Sequence, residues 1–197
     1  MKILVVAPMA SEKENITKAI DRAKSSLKNQ YTVIRGRVGK VYAAAATAVA
    51  LERDHYDCVA VIGYAAASAA LSKGDVVAPC WARYHDVDVP DGLDGVSFLT
   101  DPYELAGRDD VTIFTGDAFV GAAKIRTIME RFGTERALFD MEATAVCQTA
   151  ALYGVKSMVV KMVSDTPEKG CDADSFERFV TEHTDFGPIL ELIEKTV

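Results

Sequence analysis

The sequence has few cysteines, few prolines and no long hydrophobic run, and each shortage removes a class of protein. Its four cysteines, Cys58, Cys80, Cys147 and Cys171, are far apart and form no CxxC pair. Neither a zinc knuckle nor a disulfide framework follows from that spacing. Six prolines and 13 glycines in 197 residues are too few for a collagen-like or low-complexity chain. No apolar run is long enough to span a bilayer. The opening Met1-Lys2-Ile3-Leu4-Val5-Val6-Ala7-Pro8 reaches Ser11-Glu12-Lys13-Glu14 too soon to be the apolar part of a signal peptide. A soluble cytoplasmic protein is the expectation. Basic charge is also short: 22 Lys and Arg stand against 29 Asp and Glu, a formal net charge of -7. Such a field repels phosphate backbones and anionic lipid heads, so neither nucleic acid nor a membrane is expected as a partner.

What remains is a globular balance, 49% apolar and 26% charged, long enough for one domain with a sizeable core and too short for two. A single domain over residues 1–197 is expected. Short β-rich runs alternate with helical patterns, which is an α/β signature. The runs are Ile3 to Val6, Tyr31 to Arg37, Val59 to Ile62, Asp75 to Ala78, Val111 to Thr115, Ala137 to Phe139 and Met158 to Val163. Val59-Ala60-Val61-Ile62 lacks polar alternation, as expected of a strand covered on both faces. Helices are predicted from about Glu12 to Leu27, Val41 to Asp54, Ala122 to Arg131, Ala143 to Tyr153, Ala173 to His183 and Phe186 to Lys195. Ala43-Ala44-Ala45-Ala46-Thr47-Ala48 has so little bulk that another backbone can approach it closely. From Tyr84 to Asp110 the pattern weakens into an irregular excursion.

Several motifs fail on inspection. Gly36-Arg37-Val38-Gly39-Lys40 resembles a phosphate loop, but Ile34 stands where a glycine is needed and Val41 follows Lys40 in place of Ser or Thr. A strand-to-helix turn is the better account. His85-Asp86-Val87-Asp88 offers three potential metal ligands within four residues, yet His85 and Asp86 as neighbours in a strand face opposite sides, so no metal site is assigned. There is no GxSxG and no glycine fingerprint after the first strand, which removes a nucleophile elbow and a dinucleotide turn.

Three acids at strand ends look chemical. Glu142 lies between the apolar strand ending at Phe139 and an apolar helix, where a carboxylate needs a partner. Its ordinary explanation is an acid answering a helix dipole. Asp165 closes Met158-Val159-Val160-Lys161-Met162-Val163-Ser164-Asp165, at the carboxyl end of a core strand where open α/β sheets bind ligands. Its ordinary explanation is a turn-starting Asp before Thr166-Pro167. Glu12 follows the first strand and doubles as a first-turn acid of the next helix.

Taken together, Gly116-Asp117-Ala118-Phe119, Met141-Glu142-Ala143-Thr144-Ala145 and Val160-Lys161-Met162-Val163-Ser164-Asp165 resemble the 5′-methylthioadenosine/S-adenosylhomocysteine nucleosidases of the nucleoside phosphorylase superfamily. Gly39-Lys40-Val41, Lys73-Gly74-Asp75-Val76-Val77 and Ala82-Arg83-Tyr84-His85-Asp86 match in the same order. The resemblance implies a three-layer α/β sandwich with a mixed, partly barrel-like central sheet, assembled as a homodimer. It implies hydrolysis of the N-glycosidic bond of a 5′-modified adenine nucleoside, without a cofactor. By that resemblance Asp165, with Ser164 beside it, protonates adenine N7 and Glu142 binds the ribose hydroxyls. Met141 packs on the sugar, Phe119 stacks on the base, the Val120 backbone reads the adenine edge, and Glu12 activates water. These residue types suit the reaction: carboxylates favour an oxocarbenium-like sugar, and a purine leaves readily once its ring nitrogen is protonated.

The chain also departs from the family. Tyr64-Ala65-Ala66-Ala67 stands where the family carries Ser, Ala and two glycines in a loop facing the water side of the sugar, so the pocket there is expected to be narrowed and repolarised, with the Tyr64 hydroxyl a candidate substitute water ligand. Lys161 replaces an Arg, keeping the charge and losing the planar fork. The segment from Val89 to Asp110 is shorter than usual, in the region that completes the 5′ pocket and the dimer contact. A nucleoside phosphorylase and a non-catalytic nucleoside-binding protein stay open as alternatives.

Overall fold

A computed structural model describes residues 1–87, 102–167 and 172–197. Strand β1 (Lys2–Ala7) leads to helix α1 (Ala10–Ala23), β2 (Gln30–Arg35), α2 (Lys40–Arg53) and β3 (Cys58–Ala67). Strands β4 (Val76–Val77), β5 (Pro79–Tyr84), β6 (Tyr103–Glu104) and β7 (Asp109–Thr115) follow. Helix α3 (Ala122–Phe132), β8 (Ala137–Asp140), α4 (Ala143–Leu152), β9 (Lys156–Asp165), α5 (Ala173–Glu182) and α6 (Gly187–Thr196) complete the described chain. The six helices lie within a few residues of the sequence expectation.

The strands form one mixed sheet in the order β2-β1-β3-β8-β7-β5-β6, with β9 branching from β3 and β4 from β9. The branch curls the sheet into an open half-barrel. Along one edge β3 pairs in parallel with β1 through Ile3↔Cys58 to Val6↔Val61. Farther on, Ala66 and Ala67 pair antiparallel with Phe139 and Leu138 of β8. Its other edge pairs with β9 over its length, with a register shift between Ala65 and Ala66.

Two apolar layers follow from the period of two along each strand. Ile3 and Val5 of β1, Ala60 and Ile62 of β3, and Met158 and Val160 of β9 face one layer with Ile16 of α1, Phe179 of α5 and Ile189 of α6. Leu4 and Val6, Val59 and Val61, and Val159 and Val163 face the other with Ala43 of α2 and Val146 of α4. Ala43 shows no exposure and packs with Leu4 and Val6 of β1, so α2 meets the sheet closely at this alanine, while Ala45 of the same run faces outward.

Three expectations change. Tyr64 to Ala67 is not a loop but the second half of β3, buried throughout, because its backbone pairs with β9 and, at Ala66 and Ala67, with β8. Strand β5 was not foreseen: it pairs with β7 despite its Pro79 start. Within the excursion from Tyr84 to Asp110, residues 88–101 lie outside the described residues, which takes in Asp88 and most of the shortened Val89–Asp110 segment. Residues 102–110 hold β6 and the start of β7. Cys171 also lies outside the described residues.

Candidate active site

A cavity of about 330 Å³ opens where β1, β3, β7, β8 and β9 end. Eight of the nine residues singled out from sequence line it: Glu12, Tyr64, Phe119, Val120, Met141, Glu142, Ser164 and Asp165. They come from five separate segments, and the sheet topology alone brings them together.

Glu12 is 3% exposed. Its Oε2 accepts the Met9 N–H at 2.7 Å, tying down the start of α1, and its Oε1 accepts the Tyr64 N–H at 3.0 Å. The ordinary role and the chemical one thus coexist in one side chain. Close approach to β3 requires Gly63, where an added Cβ would stand 2.3 Å from Oε1 and where φ is +139°. Burial raises the Glu12 pKa, against the lowering pull of Lys161 and the two N–H donors.

Glu142 is 5% exposed and its Oε1 accepts the Gly39 N–H at 2.8 Å. Burial first, and then the charge of Asp140, push its pKa up to about 7, with Lys161 and Gly39 acting against them. Asp165 is 1% exposed. The Ser164 hydroxyl donates to its Oδ1 and lies 3.1 Å from the Ala65 carbonyl oxygen. Phe119, in contrast, is half exposed at the mouth, its ring 6.2 Å from that of Phe176 in an edge-on arrangement. An accessible ring face beside buried carboxylates suits a flat heteroaromatic base joined to a polyhydroxyl group.

Lys161 is the singled-out residue that does not line the cavity. It shares the face of β9 occupied by Val159 and Val163, behind the wall, where its Nζ pairs with Asp140 Oδ2 at 3.0 Å. Both side chains are almost wholly buried, 1% and 2% exposed. Burial pulls the Lys161 pKa down, but Asp140, Glu12 and Glu142 outweigh it and leave the pKa raised. This ammonium is a counter-charge for the carboxylates and is not part of the cavity surface.

Tyr64 needs a correction as well. Its hydroxyl donates to the His183 carbonyl at 2.6 Å, at the end of α5, which commits its proton to the protein. The reason is parity: Tyr64 shares the face of Cys58, Ala60 and Ile62 and packs edge-on against Phe176, Phe179 and Phe186. Burial, then Glu12, push the phenol up to about 12, so it stays neutral.

Sequence reasoning missed Asp140, which lines the cavity and also accepts the Thr115 hydroxyl at 2.6 Å. Its place at the end of β8 was the available signal. It also missed Met9, Val38 and Phe176 on the cavity wall; Phe176 is legible as part of the apolar spacing Phe176, Phe179, Val180.

A family model described as the phosphorylase superfamily matches residues 9–187. The chain belongs to that superfamily. Its relatives include the 5′-methylthioadenosine/S-adenosylhomocysteine nucleosidase of Haemophilus influenzae (strain PittGG), 29% identical over 91% of this chain and 92% of that one. The enzyme of the same name from Shewanella sp. (strain MR-7) is 26% identical over 92% and 91%. Among solved structures, the S-adenosylhomocysteine nucleosidase of Streptococcus pyogenes in complex with 5-methylthiotubericidin superposes with a TM-score of 0.77 at 22% identity, covering 100% of this chain and 98% of that one. The methylthioadenosine/S-adenosylhomocysteine nucleosidase of Colwellia psychrerythraea 34H in complex with adenine gives 0.73 at 22% identity over 98% and 93%. These findings bear out the resemblance drawn from the motifs, and the superpositions establish the superfamily fold.

Proposed function

We propose that this superfamily member is a hydrolytic nucleosidase that cleaves the N-glycosidic bond of an adenine nucleoside with an apolar 5′ substituent. One observation carries the reading. Four carboxylates, Glu12, Asp140, Glu142 and Asp165, line the cavity, and no Lys or Arg does so among the described residues. A phosphate co-substrate would meet no cationic side chain on this surface, the Lys161 ammonium behind the wall being already paired with Asp140, whereas water is neutral and the cationic sugar of the transition state gains from the carboxylates. The same charge disfavours nucleotides relative to nucleosides. Pro8, Met9, Val38 and Phe176 make one part of the wall apolar, which suits a thioether at the 5′ position.

In this mechanism Phe119 stacks on the base and the Val120 backbone meets its edge. Asp165 delivers a proton to the purine as the glycosidic bond breaks, with Ser164 holding its carboxyl in place. Glu142 takes the ribose hydroxyls, and Met141 covers the sugar. Glu12 orients and deprotonates the attacking water; its raised pKa makes it a stronger base than an ordinary glutamate, and each bonded oxygen keeps a second lone pair for the water.

A homodimer completes the proposal. Helix α2 exposes Val41 (78%), Tyr42 (58%) and Val49 (49%), next to Leu152 (82%) at the end of α4, which packs on α2. Val38, just before α2, and Phe119 are also exposed, and both line the cavity. Exposed apolar side chains gathered on two packed helices fit an isologous contact with a second copy. No helix among the described residues is long and apolar enough to cross a membrane, and the free Cys58, Cys80 and Cys147 suit a reducing cytoplasm.

The test is a panel of nucleosides incubated with and without phosphate, with free base followed by chromatography. Adenine release that is indifferent to phosphate is expected. Release only with phosphate would make the protein a phosphorylase, and tight binding without release would make it a binding protein.

A further inference from the structure

The turn between β2 and α2 has no phosphate-loop chemistry, yet its backbone reaches the site. Gly39, at φ +98°, turns its N–H onto Glu142 Oε1. The next residue, Lys40, opens α2, and its N–H donates to Asp117 Oδ1 at 2.9 Å. Its ammonium lies 2.9 Å from both Asp86 oxygens and 3.5 Å from Asp117 Oδ2. Asp86 Oδ2 in turn accepts the Asp117 N–H at 2.9 Å. One side chain therefore ties three segments: the β2–α2 turn, the residues after β5, and the β7–α3 connection that carries Ala118, Phe119 and Val120.

Helix formation does not explain a lysine at this place, because a cation in the first turn opposes the helix dipole. The two aspartates offset that cost. The Lys40 and Asp86 side chains are 22% and 23% exposed, so their pairing is more sheltered than that of a freely exposed ion pair.

We propose that Lys40 is a positioning residue for the nucleoside site, fixing the Gly39 N–H on Glu142 and, through Asp117, the Phe119 ring, so that sugar and base contacts keep one spacing. The proposal rests on the nucleosidase reading for what Glu142 and Phe119 hold. The groups acting on Glu142 are Asp140 from β8, Lys161 from β9, Glu12 from α1 and the Gly39 N–H. Gly39 favours the ionised form, so releasing the turn raises the titration of Glu142 further.

The test compares wild type with Lys40→Met/Asp86→Asn, which leaves net charge unchanged and breaks the tie. Because the contacts involved are made in ground and transition states alike, KM for an adenine nucleoside should rise at least about tenfold with kcat within about threefold. The ¹³C carboxyl NMR titration of Glu142, assigned with Glu142→Gln, should move to higher pH. Lys40→Arg should recover most of the affinity. If the double variant does not fold, Lys40→Gln must show the same KM effect. Wild-type KM and an unmoved Glu142 titration overturn the proposal, even with a lowered melting temperature. A wild type that releases no base would instead refute the nucleosidase reading, and the NMR comparison would still decide the role of Lys40.

Discussion

Replacing Glu142 by Gln should make the protein more stable and less active, and the gain in stability should depend on pH. In the folded chain the carboxyl is buried beside Asp140 and Glu12, and its pKa rises from an ordinary 4.5 to about 7. A group whose folded pKa lies above its unfolded one favours folding while protonated. Its contribution is complete below pH 4.5, falls as the pH climbs, and is gone above pH 7. At pH 8 the ionised carboxylate costs up to about 3 kcal/mol. Gln keeps the acceptor for the Gly39 N–H and removes the charge, so Glu142→Gln should regain a good part of that. The shift per kcal/mol is about 2–4 °C for a chain of this size, so a gain of several degrees is expected at pH 8 and nearly none at pH 4.5. Thermal melts of both proteins at the two pH values measure it, and kcat/KM for base release should fall at least about a hundredfold in parallel. Equal midpoints at pH 8, or a less stable variant there, would refute the picture of an unfavourably placed carboxylate.

Asp165→Asn keeps the shape and cannot transfer a proton, so kcat should fall by roughly 10²–10⁴ with a much smaller loss of affinity; adenine release at the wild-type rate would move the general acid elsewhere. Phe119→Ala should weaken binding of an adenine nucleoside by about 1–3 kcal/mol in calorimetry, and unchanged affinity would remove the ring from the site. Tyr64→Phe deletes the bond to the His183 carbonyl, so it should cost about 1 kcal/mol of stability and leave kcat within a few-fold; a large loss of rate would return the hydroxyl to the reacting centre. Val49→Glu on α2 should shift the protein toward monomer in analytical ultracentrifugation, and an unchanged mass would place the dimer contact on another face.

How far a residue's role was legible depended on whether local pattern or remote pairing set it. The helices were readable because their apolar spacing and small-residue runs are local properties. The strand-end acids were readable because an apolar run ending in Ser164-Asp165, or in Asp140-Met141-Glu142, marks the ligand-binding edge of an α/β sheet by chain order alone. The second half of β3 was not readable, because Tyr64 to Ala67 become strand only through pairing with β8 and β9, which are more than 60 residues away in sequence.

The sequence by itself determined which acids, which aromatic ring and which apolar faces are available, since those are properties of residue type and period. Only the tertiary structure decided which groups face the cavity. Parity along β3 sends the Tyr64 phenol to His183, and parity along β9 sends Lys161 behind the wall to Asp140. The Gly39 N–H reaches Glu142 across 103 residues of chain. Sheet pairing and burial set these contacts, and both depend on long-range packing that no local stretch of sequence contains.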